Sequence, residues 1–270
     1  MNIILFKITL VVYFISTLHY LLFIYSRKSI IEHVALISTS IGFVVHSGAI
    51  VVRLIEAGHI PITNLYESLS FFAWAIILFF LIIQIRYKLG IIGSFVLPIV
   101  FLIIFYAAVL PNETKELLPA LKSFWLGIHT TFAFLGYAAF TIAFILGIMY
   151  LIQQSQLKHK HQGPFYYRLP SLEVLDDLAY RCLSYGFPFF TFAIISGSLW
   201  ASKAWGSYWQ WDPKETWSLV TWFIYAALFH VRLVTQWRGR KVAYLQIIGF
   251  ILMLFTYIGL NFFWGGLHVY

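Results

Sequence analysis

The sequence predicts an all-α, polytopic integral membrane protein with about eight transmembrane helices and both termini on the outer face. Three observations lead there. Of the 270 residues, 61% are hydrophobic and only 10% are charged, against roughly 25% charged in soluble domains. Apolar runs close to the ~20 residues that span a bilayer core recur along the whole length. Basic residues collect at the ends of those runs, unequally on the two sides.

The runs follow in order. The first, Ile3–Ile24, is closed by Arg27 and Lys28; it has no small-residue cleavage site and reads as a retained helix. The second is Glu32–Val52, closed by Arg53. The third is Glu67–Ile85, closed by Arg86 and Lys88. The fourth, Gly90–Leu110, stops at Pro111, a helix breaker. The fifth is Leu126–Ile152 and the sixth Cys182–Trp200. The seventh, Trp217–Leu233, precedes Arg238, Arg240 and Lys241, and the eighth is Val242–Leu260. Without an internal repeat, one integral domain over residues 1–270 is the simplest organisation. It carries a polar, basic loop over 153–177 and a distinctive segment over 201–217.

Orientation follows from the basic residues. One side collects Arg27, Lys28, Arg86, Lys88, Lys158, Lys160, Arg168, Arg181, Arg232, Arg238, Arg240 and Lys241. The other holds Lys7, Arg53, Lys115, Lys122, Lys203 and Lys214. The richer side is cytoplasmic by the positive-inside rule. The net charge of +8 is therefore explained by topology, and no nucleic-acid partner is expected. The single cysteine, Cys182, cannot form an internal disulfide or a two-cysteine redox centre, so the chain is not itself a thiol relay.

The rest is organised around Trp205–Trp217, WGSYWQWDPKETW, which holds four of the ten tryptophans. Interfacial anchoring alone does not call for such density. Trp205, Trp209 and Trp211 alternate with small or polar residues, and Asp212-Pro213 marks a turn. The pattern reads as an aromatic platform for a large, flat, apolar ligand. Lys214 and Glu215 are open to two roles, pairing with each other or capping the seventh helix.

Nine histidines in so apolar a chain carry more information. His129 falls at the outer end of the fifth helix and His268 just beyond the eighth. Both reach the face of the tryptophan segment, where two imidazoles can grip a flat ligand axially, as haem iron accepts. His230 and His19 each lie eight positions before a basic residue, Arg238 and Arg27, or about 12 Å inside the cytoplasmic edge. Intramembrane ionisable residues are costly and mark functional sites. Equal depth suits a second bis-histidine site, with His46 as a poorer depth match than His19. His33, His159 and His161 read as solvated, and His59 as a turn residue.

The segment WGSYWQWDPKETW resembles the WWD signature of haem-handling proteins, in the form of the CcsA (ResC) family of System II cytochrome c biogenesis. Arg53–Trp74, RLIEAGHIPITNLYESLSFFAW, resembles that family's first outer loop and third helix. SFWLGIH (Ser123–His129) resembles its histidine-bearing entry to the fifth helix. GLHVY (Gly266–Tyr270) resembles its terminal GLHSY, with Val269 in place of Ser.

The resemblance implies haem delivery across the membrane and covalent attachment to the CxxCH cysteines of apocytochrome c, as a subunit of a holocytochrome c synthase. Haem b is the implied cargo, held outside by Trp205, Trp209, Trp211 and Asp212 with His129 and His268 on the iron. On the inner side it is held by His230 opposite His19, His46 or a partner residue. A CcsB (ResB) membrane partner and a thioredoxin-like thiol-reducing system are implied, in a bacterial cytoplasmic or thylakoid membrane. The competing readings are a haem exporter or chaperone without ligation activity, and a haem-free transporter with His19 and His230 in a proton path. A cytochrome b-like electron carrier fits less well, because the four histidines fall on four different segments.

Overall fold

The structure, a computed structural model, describes residues 1–26, 28–113, 123–160, 163 and 166–260. Among these, every regular element is helical. The order is α1 (Asn2–Ser26), α2 (Ser29–Ala57), α3 (Leu65–Tyr87), a 3-10 turn (Gly90–Ile92), α4 (Gly93–Ala108), α5 (Phe124–Lys158), α6 (Leu172–Trp205), α7 (Pro213–Leu233), α8 (Arg240–Leu254) and a π-type turn (Phe255–Gly259). Eight helices thus stand where eight apolar runs were read. Seven are long and apolar enough to cross a membrane, and the protein is a multi-pass membrane protein. The exception is α7, which has the length but carries Lys214, Glu215, Thr216, His230 and Arg232.

The helices overrun the predicted spans most at two places. Helix α5 continues to Lys158, and α6 begins at Leu172, ten residues before the apolar run. The early turns of α6 are amphipathic. Leu175, Leu178, Ala179 and Cys182 are buried at the i, i+3, i+4, i+7 spacing of one helix face. Ser171 caps that start, its hydroxyl accepting from the Val174 N–H at 3.3 Å. Much of the segment read as a polar connector is therefore helix. Arg27, Lys115, Lys122 and His161 lie outside the described residues.

The chain divides into two compact units, Met1–Glu116 with Gln153–Pro170, and Leu117–Ile152 with Ser171–Tyr270. In the first, α1 lies along α2 and α4, and α3 packs on α2 and α4. The loop between α2 and α3 is ordered by a buried ion pair. Arg53 and Glu67 meet at 2.8 Å with 5% and 1% of their side chains exposed. The second carboxylate oxygen of Glu67 accepts from the Thr63 N–H and hydroxyl, both at 2.9 Å. Asn64 caps α3 by accepting from the Glu67 N–H at 2.9 Å. The turn-rich stretch after Arg53 is thereby folded back onto its own helix ends.

In the second unit, stacked rings hold α5 against α7 and α8: Phe140 on Tyr225 at 3.6 Å and Phe144 on Phe250 at 4.1 Å. The Trp222 N–H donates to the Thr191 hydroxyl at 2.8 Å, linking α7 to α6. At the far end, Asp176 of α6 pairs with Arg232 of α7 and accepts from the Gly239 N–H at 3.0 Å. Arg232 also donates to the Trp237 carbonyl at 2.8 Å. One carboxylate thus fixes the start of α6, the end of α7 and the turn into α8.

A buried ion pair that loses one partner leaves an uncompensated charge, at a cost of about 3–5 kcal/mol. Arg53→Ala is expected to lower stability by that order, and Arg53→Met with Glu67→Leu to recover much of it, read as thermal unfolding in detergent. Equal losses in the single and double variants would show that the pair does not organise this loop.

Candidate functional site

The site grows from one hydrogen bond. His129 sits one and a half turns into α5, half-buried, and its Nδ1 lies 2.7 Å from the Ala193 carbonyl oxygen of α6. A carbonyl only accepts, so the proton is on Nδ1 and the lone pair is on Nε2. Metal-binding histidines are commonly prepared in this way, with one ring nitrogen held by a backbone carbonyl and the other presented to the metal.

Helix α6 is shaped to receive that ring. A Cβ at Gly197 would stand 2.6 Å from His129 Nδ1, so only glycine leaves space. One turn further on, Trp200 stacks its indole nearly parallel to the imidazole, at 6.2 Å and 13°. Ala193, Gly197 and Trp200 fall at i, i+4 and i+7 on one face of α6. Sequence reasoning missed all three. The available signal was a glycine and a tryptophan one turn apart, just before the tryptophan segment.

That segment continues the stack and then turns. Trp205 meets Trp200 edge to face at 4.9 Å and 71°. Helix α6 ends there, because Gly206 takes the left-handed conformation (φ +77°) and its N–H closes on the Ser202 carbonyl at 3.1 Å. Trp209 and Trp211 meet edge to face at 5.8 Å and 85°. Each of the three tryptophans thus meets another indole edge to face and not in a parallel stack. Trp211 is 68% exposed and left-handed at φ +58°. A non-glycine residue there stores of order 1–3 kcal/mol of strain.

The acidic residues hold this conformation in place. The Asp212 carboxylate accepts from the Lys214 N–H at 2.8 Å. The Glu215 carboxylate reaches back to the N–H groups of Gln210, at 2.8 Å, and Asp212, at 3.3 Å. This is a capping box with Pro213 at the first helical position. Of the two roles open to Glu215, the structure shows the cap. Asp212, expected at the ligand, is buried as the N-cap of α7. Burial pushes the Lys214 ammonium down to about 8, with Asp212 opposing the shift.

The other histidines divide. His268 lies outside the described residues. His230 is exposed in the last turn of α7. His19 of α1 is half-buried and donates from Nδ1 to the Ile15 carbonyl at 2.8 Å, leaving Nε2 to accept. His46 is fully buried, with Nε2 2.9 Å from the Ser70 hydroxyl and Phe6 and Tyr13 edge-on against the ring. These contacts hold the ring within the first unit. His33 and His159 bond back to their own helices on exposed faces.

What fold and site define is a multi-pass helical membrane protein with an imidazole presented beside a tryptophan-rich, doubly capped turn. The family model for the Cytochrome C assembly protein matches residues 62–268, and the chain belongs to that family. Among its relatives, the cytochrome c biogenesis protein CcsA of Guillardia theta is 39% identical over 237 residues, covering 81% of this chain and 79% of that one. CcsA of Chlamydomonas reinhardtii is 41% identical over 228 residues, covering 82% and 64%. CcsA of a Prochlorococcus marinus strain is 40% identical over 248 residues, covering 82% and 78%. A solved structure, the cytochrome c haem lyase CcmF, shares the fold with a TM-score of 0.65 at 16% identity. The match covers 95% of this chain, which spans about half of that one (47%).

A half-buried lysine whose pKa is depressed from 10.5 to about 8 binds fewer protons folded than unfolded between those values. Its destabilising charge is fully present below about pH 8 and relieved as pH rises towards 10.5. The thermal midpoint of the wild type, minus that of Lys214→Met, is therefore expected to rise across that window. A flat difference would show Lys214 to be solvated.

Proposed function

We propose that this chain is the CcsA-type subunit of a cytochrome c synthase, which brings haem b across the membrane and presents it for covalent attachment to apocytochrome c. A role in cytochrome c biogenesis follows from the family. The observation that supports haem binding by this chain is the His129–Ala193 hydrogen bond, which prepares Nε2 as an axial ligand. In this reading His268 supplies the opposite imidazole, and Trp205, Trp209 and Trp211 form the apolar surface beside the ring. Asp212 acts through the cap, holding the turn that carries Trp209 and Trp211. His230 serves an inner haem, with His19, His46 or a residue of the membrane partner opposite. The tryptophan segment faces outward, in keeping with the basic residues of the other side.

The chemistry asks little of the chain beyond placement. Each thiol adds across a vinyl double bond, forming a C–S bond while the thiol hydrogen passes to the neighbouring carbon. No group leaves and no external oxidant is needed. Haem is the substrate, and holding it with a vinyl edge presented converts an encounter into an effectively unimolecular step. His129 orients the iron, the tryptophans fix the plane, and the cap keeps the turn from moving. A CcsB-type membrane partner completes the synthase. A thioredoxin-like system keeps the apocytochrome thiols reduced, because Cys182 is buried and single.

The test is the absorption spectrum of the purified protein, co-expressed with a CcsB-type partner, in oxidised and reduced forms. A low-spin spectrum is expected, altered in His129→Ala and His268→Ala. Gly197→Ala should reproduce the His129→Ala spectrum, because the added methyl displaces the ring without touching its chemistry. A Gly197→Ala protein with an unchanged spectrum would separate the ligand from this hydrogen bond.

The relay makes its own demand. His230→Ala is expected to deplete haem at both sites, because the outer one is filled from the inner. His19→Ala should do the same if it is the opposite inner ligand, and should have no effect if the partner supplies that residue. Normal haem loading in His230→Ala would end the two-site reading.

A further inference from the structure

In the first unit, Phe23 of α1, Glu32 of α2, Lys88 and Gly90 of the turn from α3 into α4, and Tyr167 and Arg168 of the strap before α6 line one open cavity of about 400 Å³. Helix α1 finishes here, α2 begins and α3 gives way to α4, so the cavity lies at the edge of the membrane spans. Its walls are fixed by local structure. Lys88 closes α3 in the left-handed conformation (φ 54°), its N–H donating to the Gln84 carbonyl at 2.9 Å. The turn brings Gly90 so close to Glu32 that a Cβ there would collide with the carboxylate. Gln84 Nε2 donates to one oxygen of Glu32 at 3.3 Å. Arg168 donates to the Phe23 carbonyl and lies over the Phe23 ring at 5.5 Å, so its guanidinium is a wall held in place. Lys88 is exposed and forms no ion pair among the described residues.

Two cations, Lys88 and Arg168, face one carboxylate, Glu32. The surplus positive charge favours a singly charged anion over a neutral or zwitterionic ligand. A carboxylate only accepts, so the ligand must bring a donor to Glu32, and a hydroxyl does this without cancelling the anion. The location adds a third requirement. Ile82 and Ile85 are 54% and 76% exposed, and with Lys88 they follow at three-residue steps along the last turns of α3, on one face. An apolar tail lying on that face brings its head to the cavity. We infer that the cavity holds the headgroup of an anionic phospholipid with free hydroxyls, of the phosphatidylglycerol type. Its phosphate meets Lys88, a compact point charge suited to phosphate, and its glycerol meets Glu32. The volume is within the range of small-molecule sites, about 300–1,000 Å³. A headgroup bound in this way ties the α3–α4 turn to the start of α2. The inference rests on the membrane spans and the first unit alone, and not on the haem reading.

The test titrates the full chain in detergent and counts bound molecules by native mass spectrometry. The probes are dioctanoyl phosphatidylglycerol, phosphatidylethanol (the same charge, no hydroxyl) and phosphatidylcholine (no net charge), with glycerol 3-phosphate as a head without a tail. Phosphatidylglycerol is expected to bind about tenfold more tightly than either other lipid, the usual worth of a hydrogen bond to a charged group, and glycerol 3-phosphate is expected not to displace it. Lys88→Gln should weaken both anionic lipids by about tenfold, and Lys88→Arg should keep them. Arg86→Gln removes an exposed charge outside the cavity lining and should leave all three lipids within about twofold. Glu32→Gln keeps an acceptor for Gln84 and loses the charge. It should weaken phosphatidylglycerol yet strengthen phosphatidylethanol, a divergence that a merely structural role would not produce. Equal affinity of the wild type for the three lipids, or equal weakening by Arg86→Gln and Lys88→Gln, would show diffuse surface attraction and overturn the inference. Parallel weakening of both anionic lipids in Glu32→Gln would overturn the glycerol contact, and displacement by glycerol 3-phosphate would make this a site for soluble phosphate esters. None of these outcomes bears on the haem reading.

Discussion

A peptide group in hydrocarbon has no water to bind, so each backbone donor and acceptor must find its partner within the protein. That constraint shapes the whole chain. It makes every described regular element a helix and extends to the polar side chains inside those helices. Thr9, Ser16, Thr17, Thr39, Ser47, Thr130, Thr141, Thr191 and Ser196 each donate to a carbonyl one turn back in their own helix. Hydroxyls satisfied in this way remain compatible with an apolar surround. Charges cannot be treated so, and they are moved to helix ends and paired. Arg53–Glu67 does this in the first unit and Asp176–Arg232 in the second.

The same constraint explains the construction of the tryptophan turn. Between α6 and α7 the backbone leaves the helical ladder, and its N–H groups lose their partners. Gly206 closes the end of α6 and the capping box opens α7. Between them Trp211 is held at a positive φ, a conformation that isolated chain would avoid. Rigid ends on both sides make that strain tolerable. The acidic residues of the motif thus keep the turn in one shape. His129 is prepared by the same means: a carbonyl of α6 fixes its tautomer, and the absent side chain of Gly197 sets its depth.

Much of this was legible in the sequence. Composition and periodicity gave the helical class, because an apolar run of bilayer length has almost no other stable state. The eight runs became eight helices, within a few residues at most ends. The tryptophan segment stood out by its aromatic density, and His129 because it falls at the outer end of its helix, on the face of that segment. Where the reading fell short, polarity was taken for a connecting loop: the early turns of α6 look like one until Leu175, Leu178 and Cys182 are seen to share a face. The marginal apolarity of α7 has the same origin, since its polar residues serve the cap at one end and Arg232 at the other.

The sequence by itself determined that this is a helical membrane protein with a tryptophan-rich turn and a few placed histidines. Those properties follow from transfer free energies and local geometry, which each segment carries alone. Only the tertiary structure decided which side chains surround the candidate residues. It assigned Glu215 to the cap, set His46 against Ser70, Phe6 and Tyr13, and brought Ala193, Gly197 and Trp200 to His129. Residues 129 and 193 are far apart in the chain, and no periodicity connects them. A hydrogen bond between two helices depends on their rotation and depth, which the packing of all the other side chains sets together.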